Sequence, residues 1–471
     1  MATARAARPR DLRDLVAAPL CRSQRCPLNL DIFKSYDIRG IYPSELNEDV
    51  ARRIGRAFAD YLRVPAVAIG RDMRLSSEPL FRALADGITM QGTDVVDLGL
   101  TTTDELYFAV GHFKYQGGIM ITASHNPKQY NGFKLCRADA VPLASDTGVF
   151  AIRDLVQADR FVPSATRGQI TAKDPLPAFA EHCLSFVDVN SIKPLKIAID
   201  AGNGMAGLVV PAIFKHLPVT LIPLYFELDG TFPNHPASPI EPENMADLQA
   251  AVVKHGADLG AAFDGDADRV FITDEHGALV GGDMVTALVA RNLLRGKPGA
   301  TILYNLICSR SVPEIIERSG GVPVRTRVGH SYIKAIMRER NAIFGGEHSG
   351  HFYFRDNYYA DSGLIALLVV LEVISRENKP VSQLLRPLDT RVRSGEINSH
   401  VADAPAKLAA LEQRYGDAQL DHLDGLTIQY PTWWANVRPS NTEPLLRLNV
   451  EADDPATLAA KRDALLAIIR T

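Results

Sequence analysis

The chain has 471 residues, 46% hydrophobic and 23% charged, with a formal net charge of −4. That length accommodates about three or four domains with sizeable cores, in a composition typical of globular chains. The slight acidity argues against nucleic acid or a membrane surface as the main partner and leaves room for a local basic pocket that takes an anionic metabolite.

Residues 1–28 carry Arg5, Arg8, Arg10, Arg13, Arg22 and Arg25 against Asp11 and Asp14, without the apolar stretch of a secretory signal. They are expected to form a disordered basic extension. From residue 29 the pattern alternates: a helix over 49–62, a strand over 66–69, a helix over 78–90, then strands over 94–98 and 118–122. This alternation predicts an α/β architecture. The strand runs 67–69, 196–200 and 301–304 each open a block in which a later apolar strand enters a polar, glycine-bearing loop. Those loops are 124–126, 264–269 and 346–351. Ligands in open α/β sheets gather outside the carboxyl ends of strands, so the three loops are expected to converge on one cleft. Linkers are expected near 165–168 and 379–387. The stretch 363–371 is too short to span a bilayer and reads as a buried helix. The last 80 or so residues hold Trp433 and Trp434 and read as a smaller α+β domain ending in a helix over 455–469. Five scattered cysteines (Cys21, Cys26, Cys136, Cys183, Cys308) fit a reducing, cytoplasmic compartment better than a disulfide framework.

The loops differ in how sharply they speak. Ser124 and His125 follow an apolar strand, Pro127 stops regular structure, and Lys134 lies ten residues beyond the serine. On these residues alone a reactive serine and a polar turn weigh evenly. Asp264, Asp266 and Asp268 alternate, so extended backbone points all three carboxylates one way, and a hard divalent cation relieves their repulsion. Arg269 adds a fixed cation beside them. Glu275 completes the spacing of an EF-hand, but Arg269 occupies the position that motif reserves for glycine. The loop with Glu347, His348, Ser349 and His351 suits hydrogen bonding to sugar hydroxyls. Arg438, Ser440, Asn441 and Thr442 have the composition of a phosphate cradle. Gly202, Gly204 and Gly207 match a dinucleotide fingerprint with Glu227 downstream, which keeps a nicotinamide oxidoreductase as a remote alternative.

Five ordered motifs resemble the α-D-phosphohexomutases, especially the phosphomannomutase/phosphoglucomutase branch. They are Tyr36-Asp-Ile-Arg39-Gly, Thr122-Ala-Ser124-His125-Asn-Pro, Asp264-Gly-Asp266-Ala-Asp268-Arg269, Gly346-Glu347-His-Ser349-Gly-His351 and Arg438-Pro-Ser440-Asn441-Thr442. The resemblance implies three related α/β domains with mixed sheets (29–170, 171–277 and 278–389) and a C-terminal α+β domain (390–471) around a central cleft. It implies a phosphoryl group on Ser124, with Asp264, Asp266 and Asp268 holding Mg²⁺ against it. Glu347 and Ser349 would grip sugar hydroxyls, Arg438, Ser440, Asn441 and Thr442 would hold the distal phosphate, and Tyr36, Arg269 and His330 would complete the substrate site. Lys134, Arg39 and His351 or His330 would manage protons. His125, whose side chain should diverge from that of Ser124 in extended backbone, would orient the phosphoserine. Partners would be hexose phosphates and a hexose 1,6-bisphosphate, with no nucleic acid or membrane, acted on by a monomer or weak oligomer. Ile307 and His348 depart from common family residues, lysine and methionine, and bear on sugar choice. Phosphoglucosamine mutase is the alternative within the family, and Asn441 in place of glycine argues against it.

Overall fold

The computed structural model describes residues 28–440 and 445–471, with the side chain of His330 left out. The basic extension over 1–27, Cys21, Cys26, Asn441 and Thr442 therefore lie outside the described residues. Leu28, assigned to the extension from sequence, packs against the first core instead.

Each predicted element forms for a local reason and is completed by packing. The helix Glu48–Leu62 starts where the Asn47 side chain accepts from the amides of Asp49 and Val50, and it buries Val50, Ile54 and Phe58 on one face. The helix Thr103–His112 starts with a capping box in which Thr102 and Glu105 satisfy each other's amides. The aliphatic stretch at 363 becomes the helix Gly363–Glu377, buried from Gly363 to Ser375 and capped by the Ser362 hydroxyl. Each leucine fully buried there contributes about 2 kcal/mol.

Three sheets repeat one arrangement. In the first, Tyr130–Arg137, Gly117–Ile121, Ala66–Arg71 and Asp94–Leu100 lie side by side. In the second the order is Val270–Thr273, Leu259–Phe263, Lys196–Asp200, Thr220–Leu224. In the third it is Phe352–Phe354, Phe344–Gly346, Thr301–Asn305, Val322–Thr326. In every case the second strand runs parallel to the third and antiparallel to the first. The loop between first and second strand is in turn the serine loop, the aspartate loop and the loop of Glu347. The block repetition legible in the sequence is thus a repetition of topology.

The strand Ile170–Ala172 joins the edge of the first sheet beside Asp94–Leu100 and runs past the boundary expected at residue 170. The linker expected at 165–168 is anchored to the helix Ser77–Met90 behind that sheet, with the Gly168 amide donating to Thr89 O at 2.9 Å. The second expected linker contains the helix Val381–Leu385, with Val381 and Leu384 buried. A fourth, antiparallel sheet runs Val392–His400, Leu445–Ala452, Trp433–Pro439, Leu426–Gln429, Gln419–Asp421 and packs on the helices Ala404–Arg414 and Pro455–Arg470. No helix among the described residues is long and apolar enough to cross a membrane.

Candidate active site

A cavity of about 1060 Å³ opens between the first three units, lined by Tyr36, Arg39, Ser124, His125, Lys134, Asp268, Arg269 and His351 among others. Ser124 sits at the end of the strand Gly117–Ile121 with φ 51°, in the left-handed region. Its Oγ donates to Asp264 Oδ2 at 2.6 Å, which joins the serine and aspartate loops directly. Gly265 allows this approach, since a β-carbon there would stand 2.6 Å from Ser124 O.

His125 does not diverge from Ser124 as extended backbone would require. The left-handed turn at the serine brings His125 Nδ1 to 3.2 Å from Oγ. Burial, together with Arg269 and Arg39, pushes this imidazole well below its usual pKa, so it is neutral near pH 7. Arg39 bonds the Asn126 side chain in the same loop and Asp37 Oδ2 at 2.6 Å.

Lys134 reaches the aspartates from the strand Tyr130–Arg137. Its Nζ donates to Asp266 Oδ2 at 2.7 Å and Asp268 Oδ2 at 2.5 Å. Burial favours loss of its proton, but the two carboxylates outweigh burial and raise its pKa well above the ordinary value. In this arrangement the lysine holds its proton as an ammonium. Burial and its two acidic neighbours push Asp264 well above the usual carboxyl range. Asp266 and Asp268 are also buried, yet Lys134 holds both below that range.

The aspartate cluster fits a hard divalent cation. One carboxylate oxygen from each of Asp264, Asp266 and Asp268 lies within 4.8 Å of the others. Asp266 Oδ1 and Asp268 Oδ1 are buried and accept no hydrogen bond from any described residue. Glu275, the residue at EF-hand spacing, accepts from the Ser382 amide at 3.1 Å and takes no part in the cluster.

The third loop closes onto the second. Arg269 Nε donates to His351 Nε2 at 3.1 Å, and the Val270 amide donates to Gly350 O at 3.2 Å. With Nε2 accepting, the His351 proton resides on Nδ1, 3.1 Å from Ser349 Oγ. Glu347 is buried and accepts from Asn305 Nδ2 at 3.2 Å, the Gly329 amide at 3.4 Å and the Tyr353 hydroxyl. Its burial raises the carboxyl pKa while the Tyr353 and Asn305 bonds oppose that rise. Tyr36 packs edge-on against Tyr332, with centroids 5.7 Å apart. His330 opens the helix His330–Arg340.

In the fourth unit, Arg438 donates to Glu396 Oε2 at 2.6 Å, and Arg447 reaches both Glu396 Oε1 and Ser440 Oγ at 3.4 Å. Glu347, Ser349 and Arg438 are not among the described residues that line the cavity.

Several residues escaped sequence reasoning because no local pattern marks them. Thr103 donates to Asp266 Oδ2 at 2.5 Å from a helix start nowhere near the aspartate loop in sequence. Lys334 and Asp361 form a buried pair at 2.6 Å on the cavity wall, with the ammonium 4.2 Å from the centroid of the Tyr107 ring. Asp361 in turn stands 3.9 Å from His351 Nε2. The glycines of the dinucleotide-like motif have a packing role. A β-carbon at Gly204 would meet Gly265 O at 2.8 Å, and one at Gly207 would meet Phe226 O at 2.1 Å. Gly204 lets the strand-to-helix turn lie against the aspartate loop, and Gly207 lets it lie against the backbone at Phe226.

Comparison with known proteins agrees with this geometry. The sequence matches the family models for phosphoglucomutase/phosphomannomutase alpha/beta/alpha domain I over residues 30–162, domain II over 177–277 and domain III over 281–390. The C-terminal domain model of the same family matches 396–468. The chain is 45% identical over 442 residues to phosphohexose mutases of Xanthomonas campestris pv. campestris, covering 92% of this chain and 98% of the relative. It is 43% identical over 454 residues to phosphomannomutase of Salmonella typhimurium, covering 93% and 99%. The crystal structure of a phosphoglucomutase/phosphomannomutase family protein from Burkholderia thailandensis superimposes with a TM-score of 0.86 at 35% identity, over 94% of this chain and 97% of that one. With all four domain models matched in order on a cleft that joins serine, aspartate and histidine loops, the chain belongs to the phosphoglucomutase/phosphomannomutase family and is an intramolecular phosphotransferase.

Proposed function

We propose that the chain is a Mg²⁺-dependent mutase that interconverts the 6- and 1-phosphates of mannose and glucose, with Ser124 carrying the phosphoryl group. The observation that carries this reading is the Ser124 hydroxyl, 2.6 Å from Asp264 at the wall of a cavity that also holds His125, Lys134, Arg269 and His351. A hexose 1-phosphate presents its 6-hydroxyl to the phosphorus of phosphorylated Ser124. The phosphorus–Oγ bond breaks as the bond to O6 forms; His351 takes the hydroxyl proton on Nε2, which Arg269 vacates on turning to the phosphate, and Lys134 gives a proton to Oγ. The resulting hexose 1,6-bisphosphate turns end for end in the cleft. Ser124 then attacks the phosphorus on O1, returning its proton to Lys134, while His351 returns its own to O1. The product leaves as the hexose 6-phosphate and the serine is phosphorylated again.

Transfer of this kind depends on positioning and on fixed positive charge near the equatorial oxygens, which Arg39, Lys134 and Arg269 supply. Mg²⁺ held by Asp264, Asp266, Asp268 and the serine phosphate would offset charge on the transferring group. Neutral His125 orients the serine oxygen. Arg438, Ser440, Asn441 and Thr442 would hold the distal phosphate, Glu347 and Ser349 the sugar hydroxyls, and Tyr36 and His330 the rest of the substrate.

Intact mass spectrometry with phosphosite mapping tests the reading, with one phosphate expected on Ser124. Ser124→Ala is expected to lower kcat for mannose and glucose 1-phosphates by roughly 10⁴-fold or more. Wild-type turnover in that variant would sink the mechanism, and a clear preference for glucosamine 1-phosphate would move the substrate.

A further inference from the structure

We propose that Arg74, which lies behind the serine loop and off the cavity wall, is a positioning residue for phosphoryl transfer, fixing Ser124 by bonds to main-chain carbonyls. The inference rests on the mutase reading and deepens it. Arg74 is buried, with no side-chain surface exposed. Its NH2 donates to Ser124 O and to Asn126 O, each at 2.7 Å. Its NH1 donates to Pro127 O at 2.9 Å and Tyr130 O at 3.0 Å. The remaining donor, Nε, meets Asp72 Oδ2 at 3.2 Å. All five N–H donors of the guanidinium are thus in use, three of them on the loop that carries the nucleophile and one on the first residue of the strand that follows it.

Such a loop needs a holder. Ser124 occupies the left-handed region, which a residue with a β-carbon leaves readily unless its surroundings over-determine it. Without the guanidinium, the carbonyls of Ser124 and Asn126 would point inward with no donor among the described residues. The guanidinium supplies a planar fork that fits them, and a lysine, with three donors on a point charge, cannot reproduce it. Arg74 is itself aimed from behind. Asp72 Oδ1 accepts from the Arg74 amide at 3.0 Å and from Ser77 Oγ at 2.6 Å. The Phe232 ring of the second unit covers the guanidinium at 5.1 Å, and a β-carbon at Gly230 would stand 2.7 Å from Arg74 Cα. Arg74 and Gly265 therefore meet the same Ser124 carbonyl from two directions, which sets where Oγ points.

The test compares wild type, Arg74→Lys and Asp72→Asn. It uses steady-state turnover of glucose 1-phosphate and single-turnover phosphorylation of Ser124 by glucose 1,6-bisphosphate, read by mass spectrometry. Arg74→Lys is expected to keep KM within about threefold while kcat and the single-turnover rate fall about 100-fold, the scale set by an ångström of misplacement. A kcat within threefold of wild type, or a loss confined to KM, overturns the proposal. If Arg74→Lys does not fold, Asp72→Asn decides, because it keeps every Arg74 donor and removes the carboxylate that aims them. A drop in kcat of about tenfold at unchanged KM supports the proposal, and wild-type kcat overturns it. If the wild-type enzyme turns over no hexose phosphate, the mutase reading fails by itself. The positioning claim is then read from hydrogen exchange over 122–130, where faster exchange in Arg74→Lys supports it and unchanged exchange overturns it.

Discussion

Ser124 at φ 51° and Ala267 at φ 60° are both left-handed, one in the serine loop and one in the aspartate loop. Left-handed backbone costs a residue with a β-carbon about 1–2 kcal/mol, so each loop stores strain where the reacting groups meet. Burial stores a second kind of tension behind them. Glu105 is almost fully buried at the start of the helix that delivers Thr103 to Asp266, and its pKa is raised from 4.5 to about 8. Burial is the main cause; the Thr102 amide opposes it and Asp104, itself raised to about 7, adds to it. Because the folded state keeps the proton longer, the stability this group contributes is full below about pH 4.5 and is lost as pH rises through about 8. Glu105→Gln keeps the capping geometry without the charge. It is expected to flatten the fall in stability between pH 5 and 9 by on the order of 1–3 kcal/mol. Urea midpoints at the two pH values check this, and parallel profiles for the two proteins would contradict it.

At the scale of elements, one strand arrangement is used three times to aim three different loops at one point. Each loop joins a buried strand to its antiparallel neighbour, so its ends are fixed by ladder hydrogen bonds and its tip is free to carry polar groups. The contact between tips depends on the absence of a side chain at Gly265. Gly265→Ala would place its β-carbon 2.6 Å from a main-chain oxygen, which no rotamer change relieves. The loops must part, and misplacement on this scale is expected to lower turnover about 100-fold. Circular dichroism would show the sheets intact while kcat falls; wild-type kcat would show that the loops can accommodate the change.

Across the whole molecule the units are joined unequally. The second and third share one apolar core with the helix Gly363–Glu377 between them, whereas the fourth has a core of its own. It meets the third through polar pairs: Arg391 with Glu314 at 2.7 Å, Arg393 with Asp283 at 3.3 Å, and the Arg310 amide with Glu451 at 3.1 Å. Polar interfaces of this kind let domains move and unfold separately. Both tryptophans of the chain, Trp433 and Trp434, lie buried in the fourth unit. Tryptophan emission is therefore expected to lose its folded signal at a urea concentration different from the far-ultraviolet circular dichroism midpoint. Coincident transitions would show that the polar interface couples all four units.

The amino-acid sequence by itself determined the α/β alternation, the threefold block pattern, the buried helix at 363 and the residue types of the site. Those signals are local: side-chain period, turn chemistry and short runs of like function. It did not reveal Thr103, Lys334, Asp361 or Arg74, because each works on a group brought close only by folding. The left-handed turn that joins His125 to Ser124 was hidden for a related reason. A serine carries no sign of positive φ, and the bonds that hold it there come from Arg74, fifty positions earlier. The dinucleotide-like glycines were likewise ambiguous until packing against Gly265 and Phe226 gave them a purpose. Pattern named the chemistry, and the tertiary structure chose which oxygen faces which carboxylate, since distance in a fold is set by sheets and cores and not by spacing along the chain.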